Sequence, residues 1–429
     1  MKTVKIGMLG IGNIGRGTYM TLETNRHKIE EATDLDLQIV KILNRHPEKD
    51  RGIDIPKEKY VTDIRDILDD PEIQIVIELI GGVEPATTYM AEALKAGKHV
   101  VTANKAAIAK NGKMLQELAT EKQLMLRFEA SVAGGIPILN AITSALICNE
   151  FSSVQGILNG TTNYILTRMT EDGASYEDVL KDAQAKGFAE ADPTADVEGI
   201  DAANKLSILI SLLFGIGVAP DEIPTRGISD VSSKDINFAR EFGYTIKLLA
   251  SAERRDGALT CNVEPSLVPM DHPLANVNNE FNAVYITGNA VDNLMFYGRG
   301  AGPFPTGSAV IGDVIGEARK IEKGAAYDLT PHLRYDAALD FLGEGRNPYY
   351  IRLSAEDRPG VLGQIASTLG TYEISIKTMT QQTDREEDGI VSIIIIVHDV
   401  ERNILETAME VLMKNHSVKN IDNVLRVLE

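Results

Sequence analysis

The sequence predicts an α/β protein: a doubly wound parallel sheet at the N-terminus, an α+β region in the middle and a ferredoxin-like region at the C-terminus. Three observations lead to this prediction. Residues 1–130 alternate apolar strands with helical stretches, residues 150–300 lose that alternation, and residues 349–427 follow the order β-α-β-β-α-β. The length of 429 residues leaves room for about three domains.

The composition is that of an ordinary globular protein, with 44% apolar and 24% charged residues. A net charge of −19 argues against binding to nucleic acid or to a membrane surface, because both require basic patches. No apolar run is long enough to span a bilayer and no secretory signal pattern is present, so we expect a cytoplasmic protein. Cys148 and Cys261 fit a reducing compartment, and the histidines lack the spacing of a zinc site.

A glycine-rich turn follows the first predicted strand, residues 3–9 (TVKIGML). It has the pattern Gly-x-Gly-x-x-Gly and precedes a helix, which is the setting of a dinucleotide-binding turn in a Rossmann-type domain. Its glycines let pyrophosphate approach the backbone, and the helix start offers free N–H groups. The alternative is a tight strand-to-helix turn without a ligand. The predicted cofactor-binding residues of the turn are Gly10, Gly12, Asn13, Ile14 and Gly15.

The second predicted strand, residues 37–43, ends without the acidic residue that NAD-preferring sites place on the ribose hydroxyls. Arg45 follows it instead, and Lys57 is nearby in the sequence. These cations favour a 2′-phosphate, so we predict that NADP(H) is preferred over NAD(H). The alternative is a solvated arginine at the end of a strand.

Further predicted strands at residues 73–80, 99–102 and 124–128 complete the parallel sheet. Lys105 lies just past the end of the strand at residues 99–102, where open α/β sheets bind ligands. The alternative is a surface lysine without a functional role, but the helix dipole makes a cation at a helix start energetically unfavourable.

Two loops rich in small residues can each be interpreted in two ways. The loop after Glu129 (residues 130–137) offers carbonyl groups and one carboxylate, which could hold a hard cation or form a tight interdomain turn. The loop at residues 298–303 leads into a helix that begins near Thr306. That helix could cover the cofactor or make a packed helix–helix contact.

The stretch at residues 187–205 (GFAEADPTADVEGIDAANK) combines several carboxylates with one lysine. We predict a helix from about Asp196, in which Asp201 and Lys205 share one face and the apolar residues 206–214 lie in a core. A lysine beside carboxylates at the start of a buried helix suits proton transfer. A buried ion pair that only fixes the packing of the helix is the alternative.

By composition, residues 343–348 (GEGRNP) form a linker to the C-terminal ferredoxin-like region, and residues 384–388 form a solvated hairpin turn within it.

Several motifs together resemble the homoserine dehydrogenase family over nearly the whole chain. The tail from residue 349, with DRPGVL at residues 357–362, looks like an ACT domain. The other motifs are the glycine turn, VTANKAAIA (101–109), FEASVAGGIPI (128–138), NGTTNYIL (159–166), the acidic stretch 187–205 and GRGAGPFPTGSAV (298–310).

This resemblance implies reversible, NAD(P)H-dependent reduction of L-aspartate 4-semialdehyde to L-homoserine, on the route to threonine and methionine. Lys205 would donate the proton, and Lys105 would orient substrate and cofactor. Glu190 would hold the amino group of the substrate, Asp196 and the catalytic Asp201 would complete an acidic wall around it, and Thr161 and Gly160 would contact the substrate. Gly302 would lie beside the cofactor. The implied ligands of a monovalent cation such as Na⁺ are Glu129 and the carbonyls of Val132, Gly134 and Ile136. Phe188 stands where some relatives carry a tyrosine, so this chain has no hydroxyl group at that position.

The implied organisation is a nucleotide-binding domain (1–130), a catalytic and dimerisation domain (131–305), a helical return with linker (306–345) and an ACT regulatory domain (346–429). We expect an amino-acid effector, with threonine the natural one, and a homodimer or homotetramer. Deleting residues 346–429 should then abolish the response to threonine. The alternatives are a non-catalytic NADP and amino-acid sensor, or another semialdehyde oxidoreductase on the same core.

Overall fold

The computed structural model describes residues 1–46, 48–49, 51–255, 257–324, 333–335, 339–382 and 389–429. The predicted hairpin turn at residues 384–388 lies outside these ranges. Within them, no helix combines the length and the apolar character needed to cross a membrane.

Strands and helices are interspersed along the chain. The strands are β1 (Lys2–Leu9), β2 (Leu35–Leu43), β3 (Tyr60–Val61), β4 (Ile73–Glu78), β5 (His99–Thr102), β6 (Leu126–Arg127), β7 (Phe151–Ile157), β8 (Tyr244–Arg255), β9 (Ala258–Pro269), β10 (Phe281–Gly288), β11 (Asp292–Arg299), β12 (Asp340–Gly343), β13 (Arg346–Glu356), β14 (Ile376–Gln381), β15 (Ile390–Glu401) and β16 (Val418–Val427). The helices are α1 (Asn13–Thr33), α2 (Arg65–Leu68), α3 (Ala86–Lys95), α4 (Lys105–Glu121), α5 (Ile138–Asn140), α6 (Gly160–Asp172), α7 (Tyr176–Ala185), α8 (Thr194–Val197), α9 (Ile200–Phe214), α10 (Ser233–Glu241), α11 (Pro303–Glu322), α12 (Val361–Thr371) and α13 (Arg402–Met413).

The chain divides into two compact units. The first contains Met1–Ser152, Asn204–Glu222 and Asn282–Ala338, and the second contains the rest. The boundary falls inside α9, so that this helix starts in the second unit and continues in the first. The units cut across the domains expected from the sequence, whose boundaries therefore stay predictions.

The first unit is built on a parallel sheet in the order β3-β2-β1-β4-β5-β6. This order confirms the predicted doubly wound sheet, with all carboxyl ends at one edge. Alternating apolar residues of β1 and β2 are fully buried because they point to one covered face of the sheet. They form one core with residues of α1 and α11.

Helices α1 and α11 make a close contact in the first unit. A β-carbon on Gly307 would lie 2.8 Å from the backbone of Gly17 and Thr18, so only a glycine allows this approach. The helix–helix interpretation of the segment after residue 303 is thus confirmed. Whether it also covers the cofactor stays a prediction.

The second unit is built on a sheet in the order β7-β8-β9-β16-β13-β15-β14. Strands β8 and β9 form a long antiparallel hairpin, and β13 lies antiparallel to both β15 and β16. Helices α12 and α13 contribute Ile365, Leu369, Leu405 and Leu412 to a core with strands β13 and β15. The predicted β-α-β-β-α-β order and the ferredoxin-like fold are confirmed.

The prediction of a linker at residues 343–348 is wrong. Gly343 ends β12, which pairs with β9, and residues 346–348 already belong to β13. In addition, β16 pairs with β9 through Arg426 and Val427. Backbone pairing between segments distant in sequence therefore overrides a composition of Gly, Asn and Pro that locally favours a loop.

Two buried carboxylates join the C-terminal fold to the rest of the second unit. Asp235, on α10, accepts hydrogen bonds from Arg352 Nε (2.6 Å), Tyr350 Oη (3.2 Å) and Asn423 Nδ2 (3.0 Å). Burial opposes ionisation of Asp235, but the hydrogen bond and charge of Arg352, with Ser232 and Asn423, outweigh it and lower the pKa of that carboxyl.

Glu264, on β9, is the second of these carboxylates. It lies 3.5 Å from Arg402 Nη1 and 3.7 Å from Arg226 Nη1. Arg226 also donates to the carbonyl of Val424 on β16 (2.9 Å). A buried carboxylate requires such cationic partners. The C-terminal fold therefore supplies part of the positive charge that Glu264 on β9 needs.

The helix predicted from about Asp196 is interrupted. Asp196 lies in α8, and α9 begins only at Ile200. Gly199 has φ of 81°, a left-handed conformation that ends α8. Elements α10 and β11 were not predicted from the sequence.

Candidate active site

The glycine turn has the geometry of a dinucleotide-binding loop. Gly10 has φ of 97°, and a β-carbon there would lie 2.9 Å from the carbonyl oxygen of Leu79. A β-carbon on Gly15 would lie 2.5 Å from the carbonyl of Gly10, which would force α1 away from β1. At Gly12, by contrast, no atom lies within 4 Å of that position. The space is open at the N-terminus of α1, where Asn13 and Ile14 begin the helix, and it fits a pyrophosphate.

The segment after β2 carries the residues predicted to select the cofactor. Asn44 is buried, and its side chain exchanges hydrogen bonds with the backbone of His46. Arg51 Nη2 donates to Asn44 Oδ1 at 3.1 Å, so this arginine helps to shape the loop. Arg45 and Lys57 are exposed to solvent and could reach a ligand.

The carboxyl ends of β4 and β5 hold a residue that the sequence analysis missed. Glu78 is the last residue of β4 and is fully buried, and its carboxylate accepts a hydrogen bond from Thr102 Oγ1 at 2.7 Å. Lys105 is the first residue of α4, and Asn104 caps that helix through a bond from the N–H of Ala107 (3.1 Å). A carboxylate in the otherwise apolar run IQIVIELI was the signal that could have indicated Glu78.

The acidic residues of the second unit are organised by an asparagine. Asn159 Nδ2 donates to Asp196 Oδ1 (2.7 Å) and to Asp201 Oδ2 (2.9 Å), and it brings the two predicted carboxylates together. Thr161 Oγ1 donates to the carbonyl of Phe188 (2.8 Å) and lies 3.4 Å from Asp196 Oδ2. Sequence reasoning missed Asn159, although an asparagine at a helix N-cap before Gly-Thr-Thr is a visible signal.

Two other predicted substrate residues lie on loops or at element ends. Gly160 is the first residue of α6. Glu190 is exposed, and its backbone carbonyl accepts a hydrogen bond from Gln184 Nε2 at 3.1 Å. Phe188 packs its ring against Tyr164 with centroids 4.7 Å apart. The loop before α8 is therefore tied to α6 by the Phe188–Tyr164 contact and the bond from Thr161, and to α7 by the side-chain bond from Gln184.

Lys205 and Asp201 are both buried, with 7% and 5% of their surface exposed. They lie one turn apart on α9, and the residues that follow on this helix are almost all buried. A buried ammonium is a group that can both stabilise negative charge and give up a proton.

The carboxylate of the predicted cation site, Glu129, already accepts two hydrogen bonds. Both oxygens of Glu129 accept backbone N–H groups within α5, from Leu139 (2.9 Å) and Asn140 (2.6 Å). Burial, together with the charge of Asp313, raises the pKa of Glu129 to about 7. A bound cation would reduce the repulsion between the carboxylates of Glu129 and Asp313, so the local charge is compatible with a cation site.

The other predicted ligands are backbone carbonyls. The Ile136 carbonyl already accepts the N–H of Ile138 at 2.8 Å, and Val132 is fully buried. Gly134 has φ of 50° and lies against the carbonyl of Gly300, and Gly302 has φ of 120° at the start of α11. Among the described residues no group of three or more His, Cys, Asp or Glu side chains could hold a metal, so a cation here would depend on carbonyls.

Family models match three consecutive parts of the chain. A homoserine dehydrogenase NAD-binding domain matches residues 10–129, a homoserine dehydrogenase model matches residues 137–315, and an ACT domain matches residues 349–416.

Individual relatives agree with these matches, two of them over nearly the full length of the chain. A homoserine dehydrogenase of Pseudomonas aeruginosa is 41% identical over 96% of both chains. A crystal structure of a homoserine dehydrogenase from Thiobacillus denitrificans superimposes with a TM-score of 0.93 at 38% identity, and covers 100% of this chain and 99% of its own. A hyperthermophilic archaeal homoserine dehydrogenase in complex with NADPH gives a TM-score of 0.63 at 26% identity, over 74% of this chain and 98% of its own.

Proposed function

Because the chain belongs to the homoserine dehydrogenase family and is an NAD(P)-dependent oxidoreductase of that family, we propose that Lys205 donates the proton in the reduction of L-aspartate 4-semialdehyde to L-homoserine. The bound nicotinamide supplies the hydride. The ammonium of Lys205 stabilises the charge that develops on the aldehyde oxygen and then protonates it. The observation that carries this proposal is the burial of Lys205 one turn after Asp201 on α9.

Glu190 holds the α-ammonium group of the substrate, and Asp196 and Asp201 complete the acidic wall around it. Asn159 holds Asp196 and Asp201 together, and hydrogen bonds to a carboxylate favour its charged form. Thr161 and Gly160 complete the substrate contacts in this proposal.

Lys105 orients substrate and cofactor from the start of α4. It is half-buried at a position where the helix dipole disfavours a cation, so its charge gains more from an anionic or polar ligand than from the helix.

The cation site is proposed at the carbonyls of Val132, Gly134 and Ile136 beside Glu129. Its support is the buried pair Glu129 and Asp313, in which the Glu129 N–H donates to Asp313 Oδ2 at 2.9 Å. A monovalent ion such as Na⁺ would stabilise the loop and takes no part in the chemistry.

The C-terminal ACT domain binds an amino-acid effector, and threonine, the end product, is the proposed one. We also keep residues 131–305 as the catalytic and dimerisation region of a homodimer or homotetramer, with residues 1–130, 306–345 and 346–429 as the other domains.

The test of the function is an assay of NADPH oxidation on addition of L-aspartate 4-semialdehyde to the purified protein. We expect substrate-dependent oxidation, and threonine at millimolar concentration should raise the substrate KM or lower kcat by roughly 5-fold or more. Absence of oxidation in folded protein that binds NADPH would contradict the proposed reaction. An identical rate with and without threonine would remove threonine as the effector and leave the reaction untouched.

Arg45 and Lys57 are proposed to bind the 2′-phosphate of NADP(H). We expect Arg45→Ala to raise the KM for NADPH about tenfold, the effect of one lost charge-assisted hydrogen bond, and to leave the KM for NADH unchanged. The measurement is initial rates with both cofactors. Lys28→Ala, an exposed cation far along α1, is the control and should change neither. An equal rise for both cofactors would show that Arg45 only supports the loop.

A further inference from the structure

The buried carboxylate of Glu78 connects two loops at the ligand edge of the parallel sheet. One oxygen, Oε1, accepts the backbone N–H of Ile80 at 2.7 Å, and the other, Oε2, accepts the hydroxyl of Thr102 at 2.7 Å. Glu78 ends β4 and Thr102 ends the neighbouring strand β5. One side chain therefore fixes both strand ends.

A chain of hydrogen bonds continues from Thr102 to the start of α4. Thr102 Oγ1 accepts the N–H of Asn104 at 2.9 Å, and because its own proton goes to Glu78, the hydroxyl has a defined direction. Asn104 then caps α4 and donates through Nδ2 to the carbonyl of Gly82 at 2.7 Å. Lys105 is the next residue, so its backbone is held from both loops. The bonds that join Glu78, Thr102 and Asn104 are called the relay below.

The loop after β4 needs this support. Gly81 and Gly82 have φ of 83° and 72°, and glycines have more backbone freedom to lose than other residues. The bonds from Glu78 to Ile80 and from Asn104 to Gly82 give the loop a fixed shape.

Burying a carboxylate in an apolar strand is costly, and an apolar residue would serve the core better. Burial raises the pKa of Glu78, although hydrogen bonds from Thr102 and Ile80 oppose the rise. A costly group at the ligand edge indicates a role beyond packing.

We propose that Glu78 is a positioning residue for the reduction: through Thr102 and Asn104 it sets the position of Lys105 at the carboxyl edge of the sheet. This inference rests on the role proposed above for Lys105. Glu78 does not touch the reacting atoms in this proposal, and it acts through the relay alone.

The test is a double-mutant cycle on the full-length protein. Thr102→Val removes the hydroxyl at nearly constant volume, and we expect it to lower kcat about tenfold while the Kd for NADPH, measured by fluorescence, changes less than about twofold. Thr102→Ser should restore most of kcat, since it keeps the hydroxyl. In a Lys105→Ala background Thr102→Val should have little further effect, because the relay acts through Lys105.

Thr87→Val is the matched control. Thr87 is buried in the same unit, and its hydroxyl donates to Val83 O (2.7 Å) and accepts from Asn111 (3.1 Å), outside the relay. It should lose a similar amount of stability and keep kcat. If Thr102→Val folds poorly, Glu78→Gln is the second variant: its amide must face either Thr102 or Ile80 with a donor, and kcat should again fall.

Three results would overturn the proposal: kcat retained in both Thr102→Val and Glu78→Gln, failure of Thr102→Ser to restore it, or the same fold-loss with and without Lys105. Failure of the Lys105 role itself is distinguishable, because Lys105→Ala alone would then keep the wild-type kcat.

Discussion

Lys205→Ala is expected to lower kcat by about a hundredfold or more, with the Kd for NADPH unchanged within about twofold. General acid catalysis by a positioned side chain typically contributes about 10² to 10⁴ in rate, and the removed ammonium also stabilises the developing alkoxide. The glycine turn at Gly10 to Gly15, which would bind the cofactor, contains none of the altered atoms. Steady-state kinetics and a fluorescence titration with NADPH measure the two quantities separately.

Lys205→Arg separates charge from proton donation. Arginine keeps the positive charge but holds its proton too tightly to act as an acid, so we expect a rate close to that of Lys205→Ala. A rate near that of the wild type would show that Lys205 acts through its charge alone. Unchanged turnover in Lys205→Ala would remove the residue from the mechanism.

Lys247→Met is the matched control for a buried lysine. Lys247 is 2% exposed, and its Nζ donates to the carbonyl of Val277 (2.6 Å) and to Asn278 Oδ1 (3.0 Å). Burial lowers the pKa of Lys247 to about 8, a value that would also suit catalysis. We expect Lys247→Met to lower stability but to leave kcat per folded molecule unchanged, because the ammonium of Lys247 only donates hydrogen bonds that hold the loop at Val277 and Asn278. A depressed pKa does not by itself identify the catalytic lysine.

The sequence predicted those features that depend on local pattern. The glycine turn, the parallel sheet and the β-α-β-β-α-β order follow from glycine spacing and from runs of apolar residues, and all three are present. The carboxylates near Lys205 were visible as composition. Even the interruption at Gly199 had a signal, since a glycine inside a helical pattern often ends the helix.

The sequence could not predict relationships between distant segments. Asn159 joins Asp196 and Asp201 from 37 and 42 residues away, and Glu78 reaches Thr102 across 24 residues. Gly343 and residues 346–348 become strand because β9 and β15 offer hydrogen-bonding partners, although the composition of this segment favours a turn. Such contacts depend on the register of nonlocal pairing, which local propensity does not determine.

Removal of the ACT domain is expected to destabilise the enzyme severely rather than to produce a threonine-insensitive form. Truncation before residue 346 deletes β13 and β16 from the sheet of the second unit. It also leaves Asp235 without Arg352 and Glu264 without Arg402, and both carboxylates are buried. The deletion suggested by the sequence is therefore a poor test of regulation, because loss of folding would conceal the loss of an effector site.

A single substitution tests whether Asp235 anchors the ACT domain. We expect Arg352→Met to cost about 3–5 kcal/mol in the free energy of unfolding, because it leaves the carboxylate of Asp235 buried and unpaired. In thermal unfolding this corresponds to a Tm lower by roughly 10 °C. The control, Lys377→Ala, removes an exposed ion pair with Glu429 (2.9 Å) in the same domain and should cost less than about 1 kcal/mol.

The partner substitution shows whether the cost comes from the unpaired charge. Combining Arg352→Met with Asp235→Asn removes the buried negative charge, and it should recover a large part of the lost stability. If Arg352→Met stays within about 1 kcal/mol of the wild type, Asp235 does not anchor the ACT domain. Its low pKa gives an independent check: because the folded-state pKa lies below the unfolded value, the contribution of Asp235 is present at neutral pH and is lost as the pH falls through that lowered pKa. The wild type should therefore lose stability on acidification more steeply than the double variant, in which the charge of Asp235 is absent at every pH.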